Sequence, residues 1–165
     1  MEILASPLFP SMVWTVLFDD RQAFNASVLA LAYKMRDSDP EGVANTNIMG
    51  WQSKNNLQQL EEFRGVNDRI LSVCRQIGES QNFAPNLQYR HQAWINISPP
   101  GASNRIHMHP NSHLSGVYYV SLDAPGCGSI FFRDPRAAAT MMRPPVTKET
   151  HFTASEVRMR PEEGR

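Results

Sequence analysis

The sequence has no hydrophobic stretch that approaches the ~20 consecutive apolar residues of a membrane-spanning helix. Its first ten residues contain the acidic residue Glu2 and no basic residue, so they do not predict a signal peptide. A glycine-rich phosphate-binding loop and a GxSxG nucleophile motif are missing, as are internal repeats. These absences predict a cytoplasmic protein without a membrane partner. They also argue against enzymes that use a glycine-rich phosphate-binding loop or a GxSxG nucleophile.

The sequence has no excess of either charge, because 16 lysines and arginines balance 16 aspartates and glutamates. A nucleic-acid-binding surface built on bulk positive charge is therefore not indicated. Cysteine is scarce: Cys74 and Cys127 form no CxxC pair, which predicts reduced thiols in an intracellular protein. Hydrophobic residues still make up 41% of the 165 residues, which is enough for the core of one domain.

Apolar spacing predicts helices in the first half of the chain and strands in the second. Steps of three and four residues indicate helices over 21–36 and 56–77. Strands are expected over 8–18, 87–97, 114–122, 130–132 and 156–160, with 130–132 returning beside 114–122 and a loop over 37–50.

This order of elements predicts one domain over residues 1–165. Its amino-terminal half, 1–85, is helical, and its carboxy-terminal half, 86–165, forms part of a β core. We expect a mostly β fold with flanking helices that pack outside a sheet or barrel.

Three of the five histidines fall within seven residues, at His107, His109 and His113. In an extended segment His107 and His109 project to the same side, so their imidazoles converge as the nitrogen donors of a metal site do. Imidazole suits iron, zinc, copper or nickel, so the spacing alone does not select the ion. The alternative is a pair of surface histidines before a turn. The apolar strands that follow favour the metal site.

The run WINISPPGASNRIHMHPNSHLSGVYYVSLDAPGCGSIFFRDPR resembles a family of iron(II)- and 2-oxoglutarate-dependent oxygenases found in phages and marine bacteria. The segments LFPSMVW and NTNIMGWQS resemble its amino-terminal half, so the resemblance covers nearly the whole chain. It implies a hydroxylase-type enzyme that uses Fe(II) and 2-oxoglutarate. The implied fold is a double-stranded β-helix (jelly roll, cupin-like) with the amino-terminal helices packed on one sheet.

The resemblance also assigns residues to roles. His107 matches the first iron ligand, His109 takes the position of the carboxylate ligand, and Tyr119 matches a tyrosine that contacts the cosubstrate. Tyr118 points the opposite way and is expected to pack. Apart from the resemblance, Asn96, in an otherwise apolar strand, is a candidate for a polar contact with cosubstrate or substrate. Asn104 is a further candidate, with a turn-forming role as its alternative.

One departure from the family is the histidine at position 109, where the superfamily has Asp or Glu. The facial triad consists of two histidines and one carboxylate, so this site lacks a negative charge. The HxH pair also resembles the first cupin motif, with His113 near the place of the usual glutamate. A cupin-like metalloprotein with a three-histidine site is therefore an alternative, and a non-catalytic β-barrel binding module is another.

A second departure is that no distal histidine or 2-oxoglutarate-binding arginine motif occurs before Arg165. The resemblance therefore implies a truncated chain, with carboxy-terminal strands missing and turnover impaired. His113, His151 or another chain would supply the third ligand. A strand over 156–160 without its return strand keeps an open edge, which favours a homodimer. The substrate, a small molecule or a protein, is not identified by the sequence.

Three other groups have structural interpretations. Trp94 is expected in the core, and Trp51 is expected to anchor a loop on the barrel. The segment that contains Arg133, Asp134 and Arg136 predicts a turn with an ion pair.

Overall fold

The computed structural model describes residues 1–122, 126–150 and 152–165. Two long helices dominate, α1 (Arg21–Ser38) and α2 (Arg64–Ser80), and a short helix α3 spans Ala137–Met141. The strands are β1 (Asn47–Ile48), β2 (Trp51–Gln52), β3 (Asn96–Ile97), β4 (Ser103–Asn104), β5 (Ile130–Arg133) and β6 (Glu156–Met159).

Helix α1 confirms the first predicted helix and extends it by two residues, to Ser38. Val28 and Ala32, four residues apart, are buried on one face. The helix ends at Ser38, and the backbone N–H of the next residue, Asp39, still donates to the carbonyl oxygens of Met35 and Arg36. The helix therefore packs with this apolar face against the rest of the chain, as the apolar spacing predicts.

The second predicted helix is only partly confirmed, because α2 begins at Arg64 and two 3-10 turns, Leu57–Gln59 and Glu61–Phe63, precede it. Leu60 lies between the turns in extended backbone (φ −101°, ψ 120°), which interrupts the helix. Leu57 and Phe63 are almost fully buried. Apolar residues three apart suit the three-residue turn of a 3-10 helix, which explains why the pattern resembled an α-helix.

Two of the three antiparallel strand pairs join the amino-terminal half of the chain to the segment before the histidines. Strand β1 pairs with β4, and β2 pairs with β3. Each pair is extended by one more backbone hydrogen bond. Next to β2 and β3, the Ser53 amide donates to the Ile95 carbonyl (2.9 Å), and next to β1 and β4, the Arg105 amide donates to the Thr46 carbonyl (2.9 Å). The prediction of a loop over 37–50 is therefore wrong at β1, which aligns the chain leading to His107.

The third pair joins β5 to β6, from Ile130 opposite Met159 to Arg133 opposite Glu156. Strands were predicted over 130–132 and 156–160, and both are confirmed. Their pairing with each other was not predicted, because 130–132 was expected to pair with 114–122. Neither 8–18 nor 114–122, both fully described, forms a regular strand, and only Asn96–Ile97 of the segment 87–97 does. A strand needs a partner for its backbone groups, and a composition that suits a strand does not provide one.

The described residues therefore combine helices with short two-stranded sheets, and they contain no closed barrel. The jelly roll remains a prediction. Helices long and apolar enough to cross a membrane do not occur in this described part. Cys74 and Cys127 are not joined in a disulfide, as predicted.

Candidate metal centre

The structure brings His107 and His109 together. Their ring centres lie 4.8 Å apart and the ring planes meet at 83°. Two imidazoles that bind one ion through nitrogens at ~2.1 Å bring their ring centres to within about 5 Å of each other. Both side chains are exposed, so the pair is open to an entering ion and cosubstrate.

A backbone carbonyl selects the tautomer of the neutral His107 ring. Nδ1 of His107 lies 2.7 Å from the carbonyl oxygen of Arg105. Because a carbonyl oxygen only accepts, Nδ1 carries the hydrogen, and Nε2 of the neutral ring keeps its lone pair. A histidine that binds a metal characteristically donates its other ring N–H to a carbonyl or carboxylate. The donor chemistry of His107 therefore fits a ligand of a metal ion such as Fe(II).

Trp94 lies next to the histidine pair, beside His109. Its ring centre lies 5.7 Å from that of His109, with the planes tilted by 44°. Trp94 is half-buried, so the prediction that it belongs to the core is only partly met. The sequence analysis missed this contact. The available signal was that Trp94 lies in the segment 87–97, which was predicted as the strand that precedes the histidine motif.

His113 is exposed, and a turn separates it from the pair. In that turn Asn111 has a left-handed backbone (φ 66°), and the Ser112 amide donates to the His109 carbonyl oxygen at 3.4 Å. Across residues 1–122, 126–150 and 152–165, no three His, Cys, Asp or Glu side chains are grouped to hold a metal. His151 lies outside the described residues.

The two asparagine candidates lie on strands that lead to the pair. Asn96, in β3, is exposed and stands opposite Gln52. Asn104, in β4, is also exposed, and its Oδ1 accepts a hydrogen bond from the Thr46 hydroxyl at 3.3 Å. Asn104 thus helps to fix the strand three residues before His107.

Tyr119 is half-buried against the last residues of the chain. Its amide donates to the Arg165 carbonyl oxygen (3.1 Å), and its carbonyl oxygen accepts from the Gly164 amide (2.8 Å). Burial raises the pKa of the Tyr119 phenol, so the hydroxyl remains a hydrogen-bond donor at neutral pH. Tyr118 packs edge-on against Phe18 and Phe24, as predicted for the tyrosine that points the other way.

Another histidine, His91, has a structural role. Its Nε2 lies 3.0 Å from Oδ1 of Asn67, whose Nδ2 donates to the Leu57 carbonyl oxygen. Burial lowers the pKa of His91, which favours the neutral ring. His91 therefore links α2 to the segment before β3.

Residues 92–165 match the model of one protein family. This family is described as "Putative 2OG-Fe(II) oxygenase". That family uses Fe(II) and 2-oxoglutarate, and the match supports the resemblance drawn from the sequence. No curated protein and no solved structure matches the chain.

Proposed function

We propose that this chain is an Fe(II)- and 2-oxoglutarate-dependent oxygenase of the hydroxylase type. The observation that carries the proposal is the pair of adjacent imidazoles, His107 and His109, inside the region that matches the oxygenase family. The hydrogen bond from His107 to the Arg105 carbonyl supports it, since it leaves one ring nitrogen free for the ion.

In this proposal His107 binds Fe(II) through Nε2 and His109 is the second ligand. Tyr119 contacts 2-oxoglutarate through its hydroxyl, and Asn96 and Asn104 are polar contacts for cosubstrate or substrate. When bound, Fe(II) and 2-oxoglutarate supply the oxidation that converts 2-oxoglutarate, O₂ and a C–H bond into succinate, CO₂ and an alcohol. The protein holds the ion, orients the cosubstrate and limits the access of water.

His113 is the proposed third donor from this chain. The turn between His109 and Ser112 reverses the chain just before it, and its side chain is exposed and able to move. Three neutral imidazoles leave the full charge of Fe(II) on the site, which favours an anionic chelator such as 2-oxoglutarate.

The test is an anaerobic titration of the protein with Fe(II), with and without 2-oxoglutarate, in which the weak visible charge-transfer band of the chelate is followed. We expect the band in the wild type and its loss in His107→Ala and His109→Ala. His91→Gln is the control: it also removes an imidazole, but one that bonds to Asn67 away from the pair, so the band should remain.

The variant His113→Ala separates two forms of the site. Fe(II) affinity should fall if His113 is a ligand, and stay unchanged if only the pair and 2-oxoglutarate bind the ion. Iron binding without a band would contradict the proposal and favour a cupin-like site. A wild type that binds no Fe(II) would contradict any metal function of the pair.

A further inference from the structure

Three consecutive residues, 118–120, are fixed from two sides. On one side, Gly164 and Arg165 bond to both backbone groups of Tyr119. On the other side, a single side chain from helix α1, that of Asn25, bonds to both neighbours of Tyr119. Its Oδ1 accepts from the Tyr118 hydroxyl at 2.6 Å, and its Nδ2 donates to the Val120 carbonyl oxygen at 2.9 Å.

Asn25 is an unusual choice for its position. It lies inside α1 on the same buried face as Val28 and Ala32, and only 8% of it is exposed. Asparagine is a poor helix former, and a buried amide costs free energy unless both of its ends are hydrogen-bonded. Here both ends are bonded, and to the flanks of one residue. The polar side chain therefore specifies where the segment 118–120 docks on the helix.

Arg69 of helix α2 contacts the aromatic rings that pack against Tyr118. Its guanidinium lies 3.6 Å from the ring centre of Phe24 and 4.4 Å from that of Phe18. The same two rings pack edge-on against Tyr118, and Arg69 also forms an ion pair with Asp20 at 2.5 Å. The Tyr118 ring is thus confined by aromatic contacts while its hydroxyl is held by Asn25.

We infer that Asn25 is a positioning residue for the cosubstrate site: by holding Tyr118 and Val120, it fixes the backbone from which Tyr119 reaches 2-oxoglutarate. The inference rests on the proposed function for the role of Tyr119, and on the two hydrogen bonds for the role of Asn25. It predicts that loss of either bond affects the binding of 2-oxoglutarate and leaves the binding of Fe(II) unchanged, because the imidazole pair is held by other segments.

The test compares Asn25→Ala with Tyr118→Phe, which removes one hydrogen bond and retains the aromatic packing. Amide hydrogen exchange at 118–120 should accelerate in both variants. The dissociation constant of 2-oxoglutarate, measured on the Fe(II)-loaded protein, should rise about 5- to 10-fold, as expected for a lost hydrogen bond. The dissociation constant of Fe(II) alone should remain within about twofold, which a general loss of folding would not allow.

Gln22→Ala is the matched control, since Gln22 is an exposed amide side chain on the same helix. It should change neither exchange nor binding. Unchanged exchange at 118–120 in both variants would overturn the inference whatever happens to binding. Faster exchange with unchanged 2-oxoglutarate affinity would also overturn it, because Asn25 would then hold the segment without serving the site. A wild type that binds no 2-oxoglutarate would overturn the proposed function, and the inference with it.

Discussion

At the scale of single residues, the contacts that define the candidate site involve backbone atoms of neighbouring segments. The Arg105 carbonyl selects the tautomer of His107, and the backbone of Gly164 and Arg165 holds Tyr119. The sequence shows that two histidines alternate in an extended segment, which predicted the pair. It does not show which backbone groups hold Tyr119, because that depends on how the distant segment 164–165 docks.

One ion pair predicted from the sequence is present and has a pH-dependent consequence. Both carboxylate oxygens of Asp134 accept from Arg136, at 3.0 Å from Nε and 2.7 Å from Nη2. These hydrogen bonds lower the pKa of Asp134 to about 2. Because the pKa is lower in the folded state, the pair stabilises the fold above the ordinary pKa of ~3.9, and this contribution is lost as the pH falls towards 2.

We therefore expect Asp134→Asn to weaken the dependence of stability on pH. Urea unfolding at pH 6 and at pH 3 should show a smaller loss of unfolding free energy in the variant than in the wild type. Asp37→Asn is the control, since Asp37 forms an exposed ion pair with Arg36 at 3.2 Å, and it should follow the wild type. Identical losses in Asp134→Asn and wild type would show that the pair does not stabilise the fold.

At the scale of elements, helices were predicted better than strands. The hydrogen bonds of α1 lie within its own eighteen residues, so periodicity and the buried face suffice to define it. Strand β1, Asn47–Ile48, gave no such signal, because two residues are too few to show a period. Its partner is also distant in the sequence, since Asn47 stands opposite Asn104 in β4. The segment 114–122 has the composition of a strand without forming one.

The docking of the segment that contains β1 and β2 depends on Trp51. Only 9% of Trp51 is exposed, and its indole N–H donates to the Asp39 carbonyl oxygen at 2.8 Å. Trp51 thus anchors this segment at the end of α1, whereas the prediction placed the anchor on a barrel. Trp51→Phe keeps an aromatic ring, removes the donor and leaves a carbonyl without this partner. We expect the free energy of unfolding to fall by about 1–2 kcal/mol.

Denaturant unfolding of Trp51→Phe checks this value. The matched control is Trp14→Phe, because Trp14 is 38% exposed in a segment outside the regular elements, and its effect should stay within about 0.5 kcal/mol. Equal effects of the two substitutions would mean that the Asp39 contact does not anchor the segment.

At the scale of the whole molecule, the candidate site depends on parts of both halves of the chain. Residues 46–57 align the strand that leads to the histidines, and α1 holds the segment around Tyr119. Family resemblance predicted roles for His107, His109 and Tyr119 because they lie in a compact motif. Asn25 and Arg69 were not predicted, because their roles arise only when helices and loops pack together.

Binding at this site should therefore stabilise the whole fold. An ion and a cosubstrate that bind only the folded chain shift unfolding by mass action, by ~2.7 kcal/mol at a hundredfold excess over the dissociation constant. For a chain of this size that corresponds to a rise of roughly 5–10 °C in Tm. Mn(II) replaces Fe(II) in the experiment because it does not oxidise readily in air, and its oxygen- and nitrogen-binding chemistry is similar.

Thermal unfolding is measured with Mn(II), with Mn(II) and 2-oxoglutarate, and after removal of the metal with EDTA. Tm should rise with the metal, rise further with 2-oxoglutarate, and return to its starting value with EDTA. In His107→Ala both increments should vanish, because His109 then lacks the imidazole whose ring centre lies 4.8 Å from its own. Equal increments in variant and wild type would place the metal elsewhere on the chain. A Tm that rises with Mn(II) and does not respond to 2-oxoglutarate would separate the metal site from the oxygenase function, because only the latter requires the cosubstrate to bind the folded protein.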